Sequence, residues 1–389
     1  MLSKRIDALS ESLTIAISTL ARDLKAQGKD IISFSAGEPD FDTPQKIKDA
    51  AKKALDDGFT KYTAVAGIPT LLQAIADKLK RENGLEYSKD EIIVSNGAKH
   101  TLFNIFQALI DEGDEVIIPA PYWVTYPELV KYSGGIPIEI ITDDSSGFKI
   151  TPQQLQDAIT PKTKMLILTS PSNPTGAVYS KEELTALGEV LKGTNITVVS
   201  DEMYEKLVYS TIFTAAASIS EDMLQRTITV NGLSKSVAMT GWRFGYMACK
   251  NKELIKAVNK LQSQSTSNIN SITQVAAITG LDGSVDDEIE YMRQAFEKRC
   301  KVASAMFNAI DGLSVVEPQG AFYLFVNCKK VNPNSMQFCK DLLEQEGVAT
   351  VPGLGFGTDG YFRFSFATDL DTITKGIKRI ERFVKNYKN

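Results

Sequence analysis

In the stretch Val230-Asn231-Gly232-Leu233-Ser234-Lys235-Ser236-Val237-Ala238-Met239-Thr240-Gly241-Trp242-Arg243-Phe244-Gly245-Tyr246, one lysine stands among small residues and one arginine follows it. A lysine amine attacks a carbonyl only when neutral, and burial or a neighbouring cation is what lowers its pKa far enough. The apolar run Ile228-Thr229-Val230 reads as a strand, so Lys235 falls in a loop just past a sheet, where open α/β sheets bind ligands. On these residues alone a solvated surface lysine is an equal reading. Asp201 closes the run Ile196-Thr197-Val198-Val199-Ser200 and is either a buried carboxylate at a strand end or a helix N-cap. Arg363 lies inside the apolar strand Tyr361-Phe362-Arg363-Phe364-Ser365, where a guanidinium needs an anion: a ligand carboxylate gripped by both arms, or a structural salt bridge. Asn96-Gly97-Ala98-Lys99 sits between a strand and a helical run, so its amides can meet an anion at a helix start, and Lys99 opposes the helix dipole there. His100 is the only histidine, which excludes histidine triads and multi-histidine metal sites; it reads as a packing or hydrogen-bonding residue at that helix start.

The elements that must position these residues follow from periodicity. Short β-branched runs at residues 91–95, 115–119, 136–141, 164–169, 197–200, 227–230 and 246–249 alternate with helical stretches, predicting an α/β fold with a mostly parallel sheet covered on both faces. A helix within the first 28 residues leads into Ile31-Ile32-Ser33-Phe34, and helices are expected over 44–55 and 70–81. Beyond residue 250 the chain reads as helical to about 310, with a break at Asp282-Gly283-Ser284, and then as strands at 322–326, 348–351 and 361–366 with helices at 335–346 and 370–387. A length of 389 residues suggests about two domains. The loop Gly353-Leu354-Gly355-Phe356-Gly357 lacks dinucleotide-binding spacing because position 358 is threonine. A net charge of -5 argues against nucleic acid as a partner, and four dispersed cysteines fit a reducing cytoplasm rather than a zinc ribbon or disulfide frame. With neither a signal core nor a run approaching a membrane span, a soluble protein is expected.

The run from Ser234-Lys235 to Tyr246 resembles the pyridoxal phosphate attachment site of class I aminotransferases. Three more matches lie in the family's order: Ala36-Gly37-Glu38-Pro39-Asp40-Phe41, Ser172-Asn173-Pro174-Thr175-Gly176 and Tyr361-Phe362-Arg363-Phe364-Ser365. The resemblance covers essentially the whole chain and looks most like the bacterial aspartate aminotransferase branch. It implies a fold-type I pyridoxal phosphate transferase, with a large domain over residues 41–285 and a smaller α/β domain built from residues 1–40 and 286–389. It also implies roles. Lys235 would carry the cofactor and shuttle the proton, Asp201 would keep the pyridine nitrogen protonated, and Tyr204 and Asn173 would hydrogen-bond the phenolic oxygen. Trp123 would stack on the ring, while Gly97, Ala98, Lys99, Arg243 and Tyr62 of the neighbouring subunit would surround the phosphate. Arg363 would take the substrate α-carboxylate, bordered by Gly37, Trp123 and Asn173, and Lys99 would meet the distal carboxylate of an acidic substrate. Without the resemblance, Trp123 reads as core, Arg243 as a surface arginine and Ser172–Gly176 as a turn. His100 replaces an expected glutamine, and Gln264-Ser265-Thr266-Ser267-Asn268 offers hydroxyls where the other aspartate aminotransferase branch has an arginine.

The implied reaction is L-aspartate with 2-oxoglutarate to oxaloacetate and L-glutamate, by a ping-pong cycle in a homodimer with shared sites. Prephenate, aromatic amino acids or alanine as substrates, and a C-S lyase on the same scaffold, are the alternatives. A ligand-sensing regulator of this fold would carry a DNA-binding domain, for which the roughly 30 residues before Ala36 leave no room.

Overall fold

The computed structural model describes residues 3–7, 9–10 and 13–387. Its strands are β1 (Ile32–Ser33), β2 (Ile92–Asn96), β3 (Glu115–Ala120), β4 (Ile136–Ile141), β5 (Thr163–Thr169), β6 (Thr197–Asp201), β7 (Thr227–Gly232), β8 (Phe244–Ala248), β9 (Tyr323–Asn327), β10 (Val348–Ala349), β11 (Val351–Pro352) and β12 (Tyr361–Ser365). Seven of them form one sheet in the order β2-β8-β7-β6-β5-β3-β4. β8 runs antiparallel to both neighbours, and every other pairing between sheet neighbours is parallel. The near-continuous apolar runs seen in the sequence are those of strands buried on both faces. Met165 and Ile167 of β5 pack with Leu102, Phe106 and Val258 on one side, while Leu166 and Leu168 pack with Leu184 and Leu187 on the other. Because only β8 is reversed, the carboxyl ends of β2, β5, β6 and β7 and the amino end of β8 share one edge of the sheet. Gly97, Asn173, Asp201, Lys235 and Arg243 all hang from that edge.

Most strand boundaries shift by one or two residues from the sequence reading, and for two strand starts the cause is visible. β2 starts at Ile92 because Glu91 is spent in a capping box, its carboxylate accepting the Ser88 amide at 2.8 Å. β8 starts at Phe244, two residues early, and Gly245 explains why periodicity misses it. A Cβ there would lie 2.3 Å from the Ala98 nitrogen, so the strand gives up a side chain to let the helix start come close.

The C-terminal residues form a three-stranded antiparallel sheet, β11-β12-β9. The single strand expected over 348–351 is two: β10 pairs in parallel with β1, bringing the N-terminal segment alongside, and β11 pairs with β12. Phe34 stacks on Phe364 at 4.0 Å and lies against Gly376, where a Cβ would sit 2.2 Å from its ring. The helix Asp286–Asn308 follows the expected break and touches two cores, with Ile289 under the large sheet and Phe296, Ala303 and Phe307 among the C-terminal aromatics. Among the described residues, no helix is long and apolar enough to cross a membrane.

Candidate active site

A cavity of about 280 Å³ opens at the shared strand edge, with Lys235, Asp201, Arg363, Arg243, Asn173 and Trp123 on its wall. Lys235 is half-buried, and its Nζ donates to the Gly37 carbonyl at 2.6 Å. Burial pulls its pKa down to about 8; Arg363 and Arg243 push the same way, against the carboxylates of Glu38 and Asp201. These are the conditions under which an amine is neutral often enough to be a nucleophile.

Asp201 is 5% exposed, so the carboxylate reading at the strand end holds and it caps no described helix. Burial raises its pKa, opposed by the Tyr126 hydroxyl donating to Oδ2 at 2.7 Å and the Met203 amide donating to Oδ1 at 3.2 Å. Tyr126 also lies 2.8 Å from the Thr169 hydroxyl. No sequence signal marks Tyr126, which reads as a core aromatic ahead of a proline. Tyr126→Phe is expected to lower kcat about tenfold and to move the acid limb of the pH profile upward, since a buried carboxylate that loses a donor protonates more easily. Steady-state rates from pH 5 upward check this.

Arg363 is 2% exposed, and among the described residues no carboxylate lies within salt-bridge distance of it. One arm donates to Asn173 Oδ1 at 2.9 Å and the other to the Ser35 carbonyl at 2.8 Å, while Nε has no partner. The Tyr323 ring lies 4.4 Å beneath it. The structural salt bridge is therefore absent, and a buried cation with only neutral partners is a site for an anion. Tyr204 is buried, its hydroxyl 2.9 Å from that of Tyr323. Tyr323 was legible only as a strand residue. Its hydroxyl would lie 3.2 Å from a Cβ on Gly37, which joins the glycine to this wall.

At the other end, Gly97 has φ +83° and a Cβ on it would meet the Arg243 guanidinium at 2.5 Å, so it stands behind Arg243 and gives it room. Arg243 donates to the Thr240 carbonyl at 2.8 Å and forms no ion pair among the described residues. Ala98 opens the helix Ala98–Leu109, whose first amides face the same end. The Lys99 ammonium rests 4.9 Å over Trp123, and partial desolvation with the nearby Arg243 lowers its pKa. His100 accepts the Asn96 amide through Nδ1 at 3.2 Å, the hydrogen-bonding role expected of it. Tyr62 is 91% exposed and lies off the cavity wall, so the chain does not bring it into its own site.

Residues 29–380 match the model of the family described as aminotransferase class I and II. The chain belongs to that family. It is 48% identical to an aspartate aminotransferase of Bacillus subtilis (strain 168), over 99% of each chain. It is 47% identical to an aspartate/prephenate aminotransferase of Nitrosomonas europaea, over 97% of this chain and 98% of the relative. Its fold is similar to the solved aspartate aminotransferase from Thermus thermophilus with maleate, at a TM-score of 0.95 and 42% identity, covering 98% of this chain and 99% of that one. The chain is thus an enzyme of the aminotransferase class on an α/β scaffold.

In this aminotransferase a larger cavity, about 950 Å³, lies elsewhere, between the helices Leu13–Ala26 and Ser335–Glu346. It touches none of the groups that can do chemistry, and volume alone does not make it the active site. Glu202 follows Asp201 but points to the opposite face of the sheet, where burial and Glu205 push its pKa up to about 8. The folded chain therefore keeps a proton that the unfolded chain releases, and this contribution to stability is lost as pH rises from the ordinary glutamate range through about 8. Glu202→Gln is expected to flatten that fall, which melting temperatures between about pH 5 and pH 9 would record.

Proposed function

We propose that this aminotransferase uses pyridoxal 5′-phosphate and transfers the amino group of L-aspartate to 2-oxoglutarate, releasing oxaloacetate and L-glutamate in two half-reactions. The observation that carries the proposal is the pairing, on one cavity, of a buried guanidinium that has no carboxylate partner among the described residues with an amine whose pKa lies near 8. The donor set fits the cofactor: an activatable amine in Lys235, a buried carboxylate in Asp201, a tyrosine and an asparagine in Tyr204 and Asn173, an indole in Trp123, and helix-start amides with Arg243 for a phosphate. When bound, pyridoxal phosphate supplies an aldehyde for amines and an electron-withdrawing ring that accepts the electron pair released at the substrate α-carbon.

The residues then divide the work. Lys235 Nζ holds the cofactor between turnovers and, once free, removes and carries the α-proton; the pKa near 8 suits a base working at neutral pH. Asp201 keeps a ring nitrogen protonated, and its own charge is supported by Tyr126 and the Met203 amide. Arg363 takes the α-carboxylate in a two-armed grip, with Gly37 beside it. Lys99, held over Trp123, meets the distal carboxylate of a dicarboxylic substrate. The Thermus relative, solved with the dicarboxylate maleate, supports an acidic substrate. Prephenate as acceptor is the second reading, favoured by the Nitrosomonas relative.

An exposed Tyr62 supports a homodimer in which it reaches the partner's phosphate site. Division into residues 41–285 and residues 1–40 with 286–389 is supported by the β1–β10 pairing. Free, buried cysteines fit a cytoplasmic setting. The test is the absorption spectrum of the protein loaded with pyridoxal phosphate. The cofactor band is expected to shift with L-aspartate and to return with 2-oxoglutarate. A band that ignores aspartate but responds to other amino acids overturns the substrate, and no band after loading overturns the cofactor.

A further inference from the structure

Between Phe34 and Thr43 the chain has neither helix nor strand, yet its carbonyls accept from two cations of the site. The Ser35 carbonyl accepts Arg363 at 2.8 Å and the Gly37 carbonyl accepts Lys235 at 2.6 Å. The Glu38 carboxylate accepts the Thr240 hydroxyl at 3.0 Å, and Thr240 is the residue whose carbonyl receives Arg243. One end of this strap is fixed by backbone bonds, Phe34 donating to Ala349 and accepting from Ser365. Its other end meets a side chain from far along the sequence. Arg299, on the helix Asp286–Asn308, donates to both oxygens of Asp40 at 2.7 and 2.9 Å. Its guanidinium lies 5.2 Å from the Phe41 ring and 5.3 Å from Phe296, and its side chain is only 11% exposed. A two-armed ion pair held against a pair of aromatic rings has one geometry, unlike the mobile pairs of open surfaces. Among the described residues it is the one ion pair within the strap.

We propose that Arg299 and Asp40 are positioning residues for the substrate carboxylate: their fork fixes the strap Ser35–Asp40, so that its carbonyls hold Arg363 and Lys235 in register with each other. The inference rests on the reading of Arg363 as the carboxylate-binding group. Neither Arg299 nor Asp40 lines the cavity, so both act through the strap. Their loss displaces Arg363, which binds substrate and transition state alike, more than Lys235, which the bound cofactor would hold in the loaded enzyme, so KM rises more than kcat falls.

The experiment uses the full chain loaded with pyridoxal phosphate and titrates it calorimetrically with succinate, a dicarboxylate without an amine that cannot react. For Arg299→Gln and for Asp40→Asn the dissociation constant for succinate is expected to rise about tenfold, KM for L-aspartate to rise alike, and kcat to stay within about threefold. The double variant should lose no more than either single one, because the two residues act as a unit. Asp40→Asn changes charge without shape, so it carries the test if Arg299→Gln does not fold. Succinate affinity and KM within about twofold of wild type in the folded variants overturn the proposal, whatever happens to melting temperature. Arg363→Gln is the control. If it abolishes succinate binding while the fork variants bind normally, the positioning role alone fails; if it leaves binding intact, the carboxylate reading fails and takes this inference with it.

Discussion

Lys235→Ala is expected to lower kcat by at least about 10⁴-fold, the loss of one group that both attacks a carbonyl and moves a proton. The fold should not suffer. The Lys235 amine makes one hydrogen bond, to the Gly37 carbonyl, and the folded protein disfavours its charge, so removing it relieves a penalty at neutral pH. The sign of the pH effect follows. Between about 8 and the ordinary lysine value the unfolded chain binds a proton that the folded chain has released, so wild-type apoprotein gains stability as pH rises through that interval. The alanine variant should lack this gain. Melting temperatures of the two apoproteins from about pH 7 to pH 10 check it, alongside kcat. An active alanine variant would remove Lys235 from the chemistry altogether.

Arg363→Gln is expected to reduce kcat/KM for L-aspartate about 10³-fold, because a two-armed charge-assisted grip on a carboxylate is lost inside the protein. Stability should move the other way or stay level. Without substrate the wild-type guanidinium is buried against Asn173, a carbonyl and aromatic faces, with no carboxylate among the described residues to offset its desolvation. Ligand linkage separates the two effects. Succinate at a hundred times its dissociation constant should stabilise the wild-type holoenzyme by about 2.7 kcal/mol and the variant hardly at all. Thermal unfolding with and without succinate reads both numbers. A variant that melts well below wild type without ligand would mean that Arg363 serves the fold, and the substrate assignment would fall.

How far the site was legible depended on where each residue's partners came from. Strands buried on both faces declare themselves as apolar runs, so all seven sheet strands could be placed to within two residues from periodicity. β8 was placed least well, because the glycine that lets Ala98 approach weakens the strand signal. Lys235 and Arg363 stood out as cations inside apolar or small-residue surroundings. Tyr126 and Tyr323 did not, since an aromatic residue in an apolar context looks the same whether or not its hydroxyl reaches a functional group. The surface placement of Tyr62 followed from the resemblance alone, as an isolated tyrosine carries no sign of which side it faces.

The sequence by itself determined the alternation of strands and helices, the loop at a strand end that bears Lys235, the single histidine that turns proton transfer over to another group, and a guanidinium too deep in an apolar strand to be ornamental. These are local facts, written in periodicity and residue type. Only the tertiary structure decided that β8 runs backwards, so that Arg243 begins where the parallel strands end. It alone decided that Arg363 finds no carboxylate among the described residues, that Asp201 is served by Tyr126, and that Arg299 grips Asp40 across 259 positions of chain. The reason is physical: burial and a neighbouring charge set what an ionisable group can do, and both are supplied by residues far away in sequence.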